Sequence, residues 1–198
     1  MSADQIVPEH NGGIKTNTES SIELPDESQA KKFFGEAKQR LLNINNWHQY
    51  AGNASAEFQL TDNKGNTINR APRKGDHFKI DIPGPGPVTG EGFDWVQVEA
   101  IEQDENSISI RVRPATNPTN ERNDVAHFFS EDATSSFIIK REGKKITAGV
   151  YGRNEKPNTD TETLKDKLRN TTIAAGAITG FSKLQWKSLV NGLVKISN

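Results

Sequence analysis

His127 lies in the run Ala126-His127-Phe128-Phe129, an imidazole followed by two aromatic rings, and it is the residue of this chain best suited to moving a proton. Histidine changes charge near neutral pH, and an apolar surround tunes that point for acid or base work. The plainer alternative is a half-buried ring tied to a backbone group. The other histidines, His10, His48 and His77, form no pair with it or with each other at the close spacing of a metal site. The chain contains no cysteine, which removes disulfides, thiolate nucleophiles, cysteine-bound zinc and iron–sulfur clusters. No cofactor is expected.

Arginines offer a second kind of chemistry. Arg111 and Arg113 share one side of an alternating run, and Tyr151, Arg153 and Glu155 share one side of another if that strand stays regular. Two guanidiniums on neighbouring strands can clamp a carboxylate or a phosphate through paired hydrogen bonds. Both sets oppose the apolar side chains of their own strands, so period-two logic turns them to solvent, in cross-strand ion pairs with acids such as Glu99. Arg113 and Arg153 stand beside His127 as the polar candidates. Phe93 and Trp95 fall on the same polar parity, which predicts either a bulge that turns them inward or an exposed aromatic patch.

The familiar nucleotide and hydrolase patterns fail. Gly84-Pro85-Gly86-Pro87, with Gly90 and Gly92, is glycine-rich, but its prolines remove the N–H donors a phosphate loop needs, and a strand follows. It reads as a long hairpin loop, with a mobile gate as the functional alternative. Gly180-Phe181-Ser182-Lys183-Leu184 departs from the nucleophile-elbow pattern at its last position. No catalytic signature remains.

A net charge of -1 gives no global pull toward nucleic acid. The lysines and Arg169 of the last segment, Lys165 to Lys195, read as the solvated face of an amphipathic helix, without the interleaved aromatics that stack on bases. No apolar run is long enough to insert in a membrane, and the start of the chain has no apolar leader. The expected location is the cytoplasm. From Met1 to Gln29 the acids Asp4, Glu9, Glu19, Glu23, Asp26 and Glu27 face only Lys15. Residues 1–20 therefore read as a disordered acidic tail, and residues 21–198 as one domain.

The elements that would position these groups follow from periodicity. Ser21-Ile22-Glu23-Leu24 alternates as a first strand. Pro25-Asp26-Glu27-Ser28 opens a helix whose Ala30, Phe33, Phe34, Ala37, Leu41 and Ile44 make one apolar face. Runs around Phe58, Phe78, Val98, Ile110, Phe137 and Ile146 alternate with period two, the mark of an antiparallel sheet with one buried face. From Thr161 to Ile196 the period is helical again, with Leu164, Leu168, Ala175, Ile178, Phe181, Leu189 and Leu193 as the inner stripe. A break is expected at Gly176 or Gly180, because a straight helix of that length, roughly 54 Å, would overrun the domain.

This order, together with Ser21-Ile22-Glu23-Leu24-Pro25 entering the first helix, Trp47 at its exit and the alternating run Ile146 to Gly152 before the last helix, resembles the helix-grip superfamily. That group holds START-type lipid carriers, birch-pollen-allergen proteins and polyketide cyclases. The resemblance implies an α+β fold: a curved antiparallel sheet of about seven strands wrapped around a long C-terminal helix. It also implies an apolar cavity between them for lipids, steroids or polyketides. Phe58, Phe78, Val112, Phe137, Val150 and Phe181 are the candidate lining positions, with Trp47 and Tyr50 near the mouth. The leading expectation is binding of a small hydrophobic or amphipathic molecule. The alternatives are an enzyme of cyclase or hydrolase type, using His127 with Arg113 or Arg153, and a protein-interaction module using Trp95 and the acidic tail.

Overall fold

The computed structural model describes residues 3–52, 56–82, 86–161, 163–179 and 181–196. Its frame is one antiparallel sheet. The strands are β1 (Ile14–Glu23), β2 (Glu57–Thr61), β3 (His77–Asp81), β4 (Asp94–Gln103), β5 (Ser107–Pro114), β6 (Thr134–Glu142) and β7 (Lys145–Glu155). They lie in the order β1-β7-β6-β5-β4-β3-β2, so β2 to β7 form a continuous meander and β1 closes back on β7. Helices α1 (Glu27–Leu42) and α2 (Trp47–Ala51) follow β1, and α3 (Leu164–Thr179) and α4 (Phe181–Leu193) end the chain. The α+β arrangement expected from periodicity is the one observed.

Local chemistry explains the helix starts and stops. Asp26 caps α1 by accepting the Gln29 backbone N–H at 2.8 Å, as the Pro-Asp-Glu-Ser entry predicts. The Asn43 N–H donates to Gln39 and Arg40 carbonyls where the helix ends. At the other end of the chain, α3 covers Leu164–Thr179 and α4 covers Phe181–Leu193, and Gly176, one of the two positions expected to break the helix, lies within α3. Gly180 itself lies outside the described residues. Of the predicted inner stripe, Leu189 and Leu193 are buried, whereas Leu168 is 63% exposed. The side chains of Leu164, Ala175, Ile178 and Phe181 lie outside the described residues.

The N-terminal segment departs from the sequence expectation. The disordered tail of residues 1–20 is instead largely part of the fold: β1 starts at Ile14 and pairs with β7 from Ile14↔Glu155 to Glu23↔Lys145. Its inward positions are Ile14, Thr16, Thr18, Ser20 and Ile22, each half-buried beside an exposed neighbour. Three of the five are small and polar, so apolar composition gives no hint of a strand. The β-branched threonines and a full ladder of backbone hydrogen bonds supply what large side chains do not. Upstream, residues 6–13 cross the outer face of the sheet as a strap. Ile6 is fully buried against Ile138, flanked by Val7, Ala100 and Tyr151.

The main core fills the inner face. Trp47 sits at its centre, fully buried, with ring contacts to Phe58, Phe78 and Phe137 and its Nε1 donating to the Leu41 carbonyl at 3.0 Å. The expectation that Trp47 stands near a cavity mouth is therefore corrected: it is a core anchor. Helix α2 packs on α4 so closely that a Cβ at Gly192 would strike the Tyr50 backbone.

Candidate functional site

Between the inner sheet face and the C-terminal helices lies a partly open chamber of about 50 Å³. The strands contribute Phe78, Ile80, Val96, Val112, Ser135, Phe137 and Glu155. The helices contribute Ile173, Gln185 and Trp186, and the loop before β6 contributes His127, Phe128 and Phe129. Its wall is mostly aromatic and aliphatic, so each polar group in it stands out.

Glu155 reaches the chamber through a bulge. Between Thr16↔Gly152 and Ile14↔Glu155 the β1–β7 register takes one extra residue on β7, and Asn154 adopts φ 56, a left-handed conformation that asparagine tolerates. The extra residue flips the parity, so Glu155 points inward instead of sharing the outward side of Tyr151 and Arg153. Gly152 makes the room: a Cβ there would collide with the Glu155 carboxyl and the Thr16 hydroxyl. Thr16 Oγ1 donates to Glu155 Oε1 at 3.3 Å. Burial pushes the Glu155 carboxyl up to about 7, with the Thr16 hydrogen bond and the Arg153 charge pulling the other way.

His127 is buried and stacked on Phe128, with ring centroids 4.3 Å apart. Its Nδ1 accepts the Phe129 backbone N–H at 2.9 Å, so the neutral ring carries its proton on Nε2. Burial and the Arg169 charge press its pKa down to about 3. The imidazole is therefore a neutral hydrogen-bonding group at physiological pH, tied to a backbone N–H.

Behind His127 a buried polar network fastens α3 to the rest of the fold. Arg169 Nη2 donates to Asp94 Oδ2 at 2.5 Å, with both side chains almost fully buried, and Asp94 also accepts the Phe128 N–H at 3.0 Å. Burial raises the Asp94 carboxyl to about 6, against the opposing pull of Arg169. Asn170 donates to the Asn158 carbonyl, and Asn158 to the carbonyls of Val125 and His127. Asp166 accepts the N–H groups of Val88 and Thr89 at 2.9 and 3.2 Å, pinning the loop after β3 to the same helix. Gly84 and Pro85 of that loop lie outside the described residues.

Of the sequence-predicted site residues, Phe78, Val112, Phe137 and His127 line the chamber. Phe58 and Val150 are buried in the core beside it, and Tyr50 lines surface grooves next to α4 and α1. Arg113 and Arg153 do not reach it. They occupy the outer face, where Arg113 pairs with Glu99 at 2.5 Å and Arg153 donates to the Thr16 carbonyl and Asn17. Phe181 begins α4, and its side chain lies outside the described residues. Trp95 is buried without turning inward and without forming a patch. The loop after β5 covers it through the hydrogen bonds Trp95 N–H to Ala126 and Ala115 N–H to Trp95. Sequence reasoning missed Glu155, Gln185 and Trp186. The Gly-Arg-Asn run ahead of Glu155 was the available signal, since glycine and asparagine late in a strand mark bulges.

No protein-family model matches this chain, and no curated protein matches it in sequence. Among solved structures, hypothetical protein jhp0584 from Helicobacter pylori overlays with a TM-score of 0.53 at 11% identity, covering 91% of this chain and 86% of that one. The chain has the helix-grip fold. Two further structures overlay more loosely and share the outline alone. They are the di-domain ARO/CYC StfQ from the steffimycin biosynthetic pathway (TM-score 0.39, 11% identity, 87% of this chain and 49% of that one) and Ara h 8.0201 (0.38, 11%, 91% and 98%). In this helix-grip chain no helix among the described residues is long and apolar enough to cross a membrane. Among those residues no group of three or more histidine or carboxylate side chains could hold a metal ion.

Proposed function

We propose that the protein binds a small, mainly apolar molecule in the chamber between the sheet and the C-terminal helices, with Glu155 and His127 as the polar contacts that orient it. The observation that carries this reading is the presence of a buried carboxyl and a buried neutral imidazole in one mostly apolar chamber. Burying such groups costs stability unless something is gained, and a few polar groups in an apolar wall are what ligand sites use for orientation. The chamber, about 50 Å³, is well below the roughly 300–1,000 Å³ of sites for drug-sized ligands. The occupant is therefore small, or α3 lifts on binding. The polar fastening of α3 and the exposed Leu168 suit a cover that detaches more readily than a packed helix.

The test is a fluorescence titration with a panel of small aromatic probes bearing no polar group, a hydroxyl or an amine. One saturable site is expected, with Glu155→Gln altering affinity for the polar probes by about tenfold, or 1.4 kcal/mol, and leaving the hydrocarbon probe unchanged. Absence of saturable binding across the panel would sink the reading. A second reading, proton-transfer catalysis in the same chamber, draws on the Glu155 carboxyl, raised to about 7. A group titrating near neutral pH in an apolar site is suited to acid–base work. Turnover of any carbonyl probe that disappears in Glu155→Gln, with binding retained, would favour it.

A further inference from the structure

The opposite face of the sheet carries a second, chemically different cavity. It has a volume of about 370 Å³ and is lined by Arg111 and Arg113 of β5, Thr134 of β6, Asn154 at the β7 bulge and Lys156 just beyond it. Pro8, Asn11 and Gly12 of the N-terminal strap form its outer wall, and Asp132 also lines it.

The guanidiniums are fixed in place. Glu99 accepts from Arg111 Nε at 2.8 Å and from Arg113 Nε at 2.5 Å. Arg111 Nη1 donates to the Ile6 carbonyl at 3.0 Å, and Arg113 Nη1 to the Glu131 carbonyl at 2.8 Å. These bonds engage Nε and Nη1 of each guanidinium and hold its plane. Among the described residues neither Nη2 has a partner. Asn11 N–H donates to Asn154 Oδ1 at 2.8 Å, which ties the strap wall to the bulge.

A second observation is independent of the charges. Thr134 lines the cavity and is 2% exposed, yet its hydroxyl has no hydrogen-bond partner among the described residues. The fully buried Ser136, opposite Arg111 in the β5–β6 register and outside the cavity lining, likewise has no partner for its hydroxyl among the described residues. Buried hydroxyls are nearly always paired, and an orphaned one marks a missing partner. Here the missing partner is an acceptor, since the surrounding side chains are chiefly donors.

We propose that this outer cavity binds a phosphate monoester, with Arg111, Arg113, Lys156 and Thr134 holding the phosphate. Three cations face two carboxylates, Glu99 and Asp132, so the site is net positive even with Glu99 committed to both arginines. Guanidinium forks match tetrahedral oxyanions, and a lysine adds a point charge. A planar carboxylate presents two oxygens and would leave part of this donor set unused. The volume falls in the range of small-molecule sites and exceeds the needs of the anion alone, leaving space for an organic remainder under the strap. This site is separate from the inner chamber, and the two readings stand or fall independently.

The experiment is calorimetric titration of the full chain with phenyl phosphate, inorganic phosphate and benzoate at constant ionic strength. Phenyl phosphate is expected to bind at one saturable site, at least tenfold tighter than either of the others. Lys156→Gln, an exposed change that spares the fold, should weaken it severalfold, and Arg113→Gln more than tenfold. Lys183→Gln, which removes the same charge from an exposed position on α4, should leave it unchanged. The proposal is overturned if phenyl phosphate gives no saturable heat, if benzoate binds as tightly, or if Lys156→Gln and Lys183→Gln behave alike.

Discussion

The two faces of the sheet solve opposite problems with neighbouring residues. On the inner face, Trp47, Phe78, Phe137 and Trp186 exclude water, and the polar groups of the chamber are shifted toward their neutral forms. On the outer face, Arg111 and Arg113 both pair with Glu99, at 2.8 and 2.5 Å, and all three side chains stay partly open to solvent. The contrast teaches that burial, and not residue type, decides what a carboxyl does here. Glu155 and Glu99 are the same side chain on one sheet, one pressed toward neutrality by burial and the other bridging two arginines.

The largest test of this contrast is Phe137→Ala. Phe137 is buried between Trp47 and Trp186, and its loss should cost about 3–5 kcal/mol in chemical denaturation. A far smaller loss would mean that the inner face is not packed as a core, and the contrast would fail.

Next in size is Glu155→Gln, read as stability against pH. The Glu155 pKa rises from 4.5 unfolded to about 7 folded, so the folded state binds the proton more tightly. The group's contribution is fully present below about pH 4.5 and is lost as pH rises through 7. The glutamine variant should remove this decline and be more stable than the parent above pH 7, by up to about 3 kcal/mol. His127 has the opposite sign. Its pKa falls from 6.5 to about 3, so its contribution is present above pH 6.5 and is lost as pH falls toward 3. A parent and a variant with identical pH profiles would show that Glu155 is solvated.

Removing residues 2–13 addresses the outer face. The strap buries Ile6, and exposing a side chain of that size costs about 1.5–3 kcal/mol. A free tail would give no change in denaturation midpoint. The smallest effect belongs to Glu99→Gln, which breaks two half-exposed ion pairs and should cost about 1 kcal/mol or less, shrinking further in high salt. A cost as large as that of Phe137→Ala would erase the distinction between the faces.

Much of this architecture was legible in the sequence, for physical reasons that also mark the limits. Period-two alternation located β3, β5, β6 and most of β7 because their inward residues are large and apolar, from Phe78 to Val150. The same rule missed most of β1, whose inward residues include Thr16, Thr18 and Ser20. It missed the role of Glu155 because alternation assumes a regular strand, and the register shift at Asn154 breaks that assumption. Trp186 and Gln185 were passed over on a helix whose apolar stripe was drawn through leucines, although Gln185 accepts the Ala56 N–H at 3.2 Å and packs inward. His127 was found, but its neutral state depends on Arg169, forty-two positions away in sequence.

The bulge at Asn154 makes the two sites heritable as a pair. One left-handed residue sends Glu155 to the inner chamber and leaves Asn154 and Lys156 on the outer cavity. In a regular strand an amide would face the chamber, and an acid would stand among the arginines. Every change from Gly152 to Lys156 is thus read twice, once on each side of the sheet. A β-branched residue at 154, which resists a positive φ, would trade a donor-rich anion pocket and an acid-bearing apolar chamber for two blander surfaces in a single step. Drift in this short segment should therefore be slower than in either wall alone, since a variant that suits one side must also be tolerated by the other.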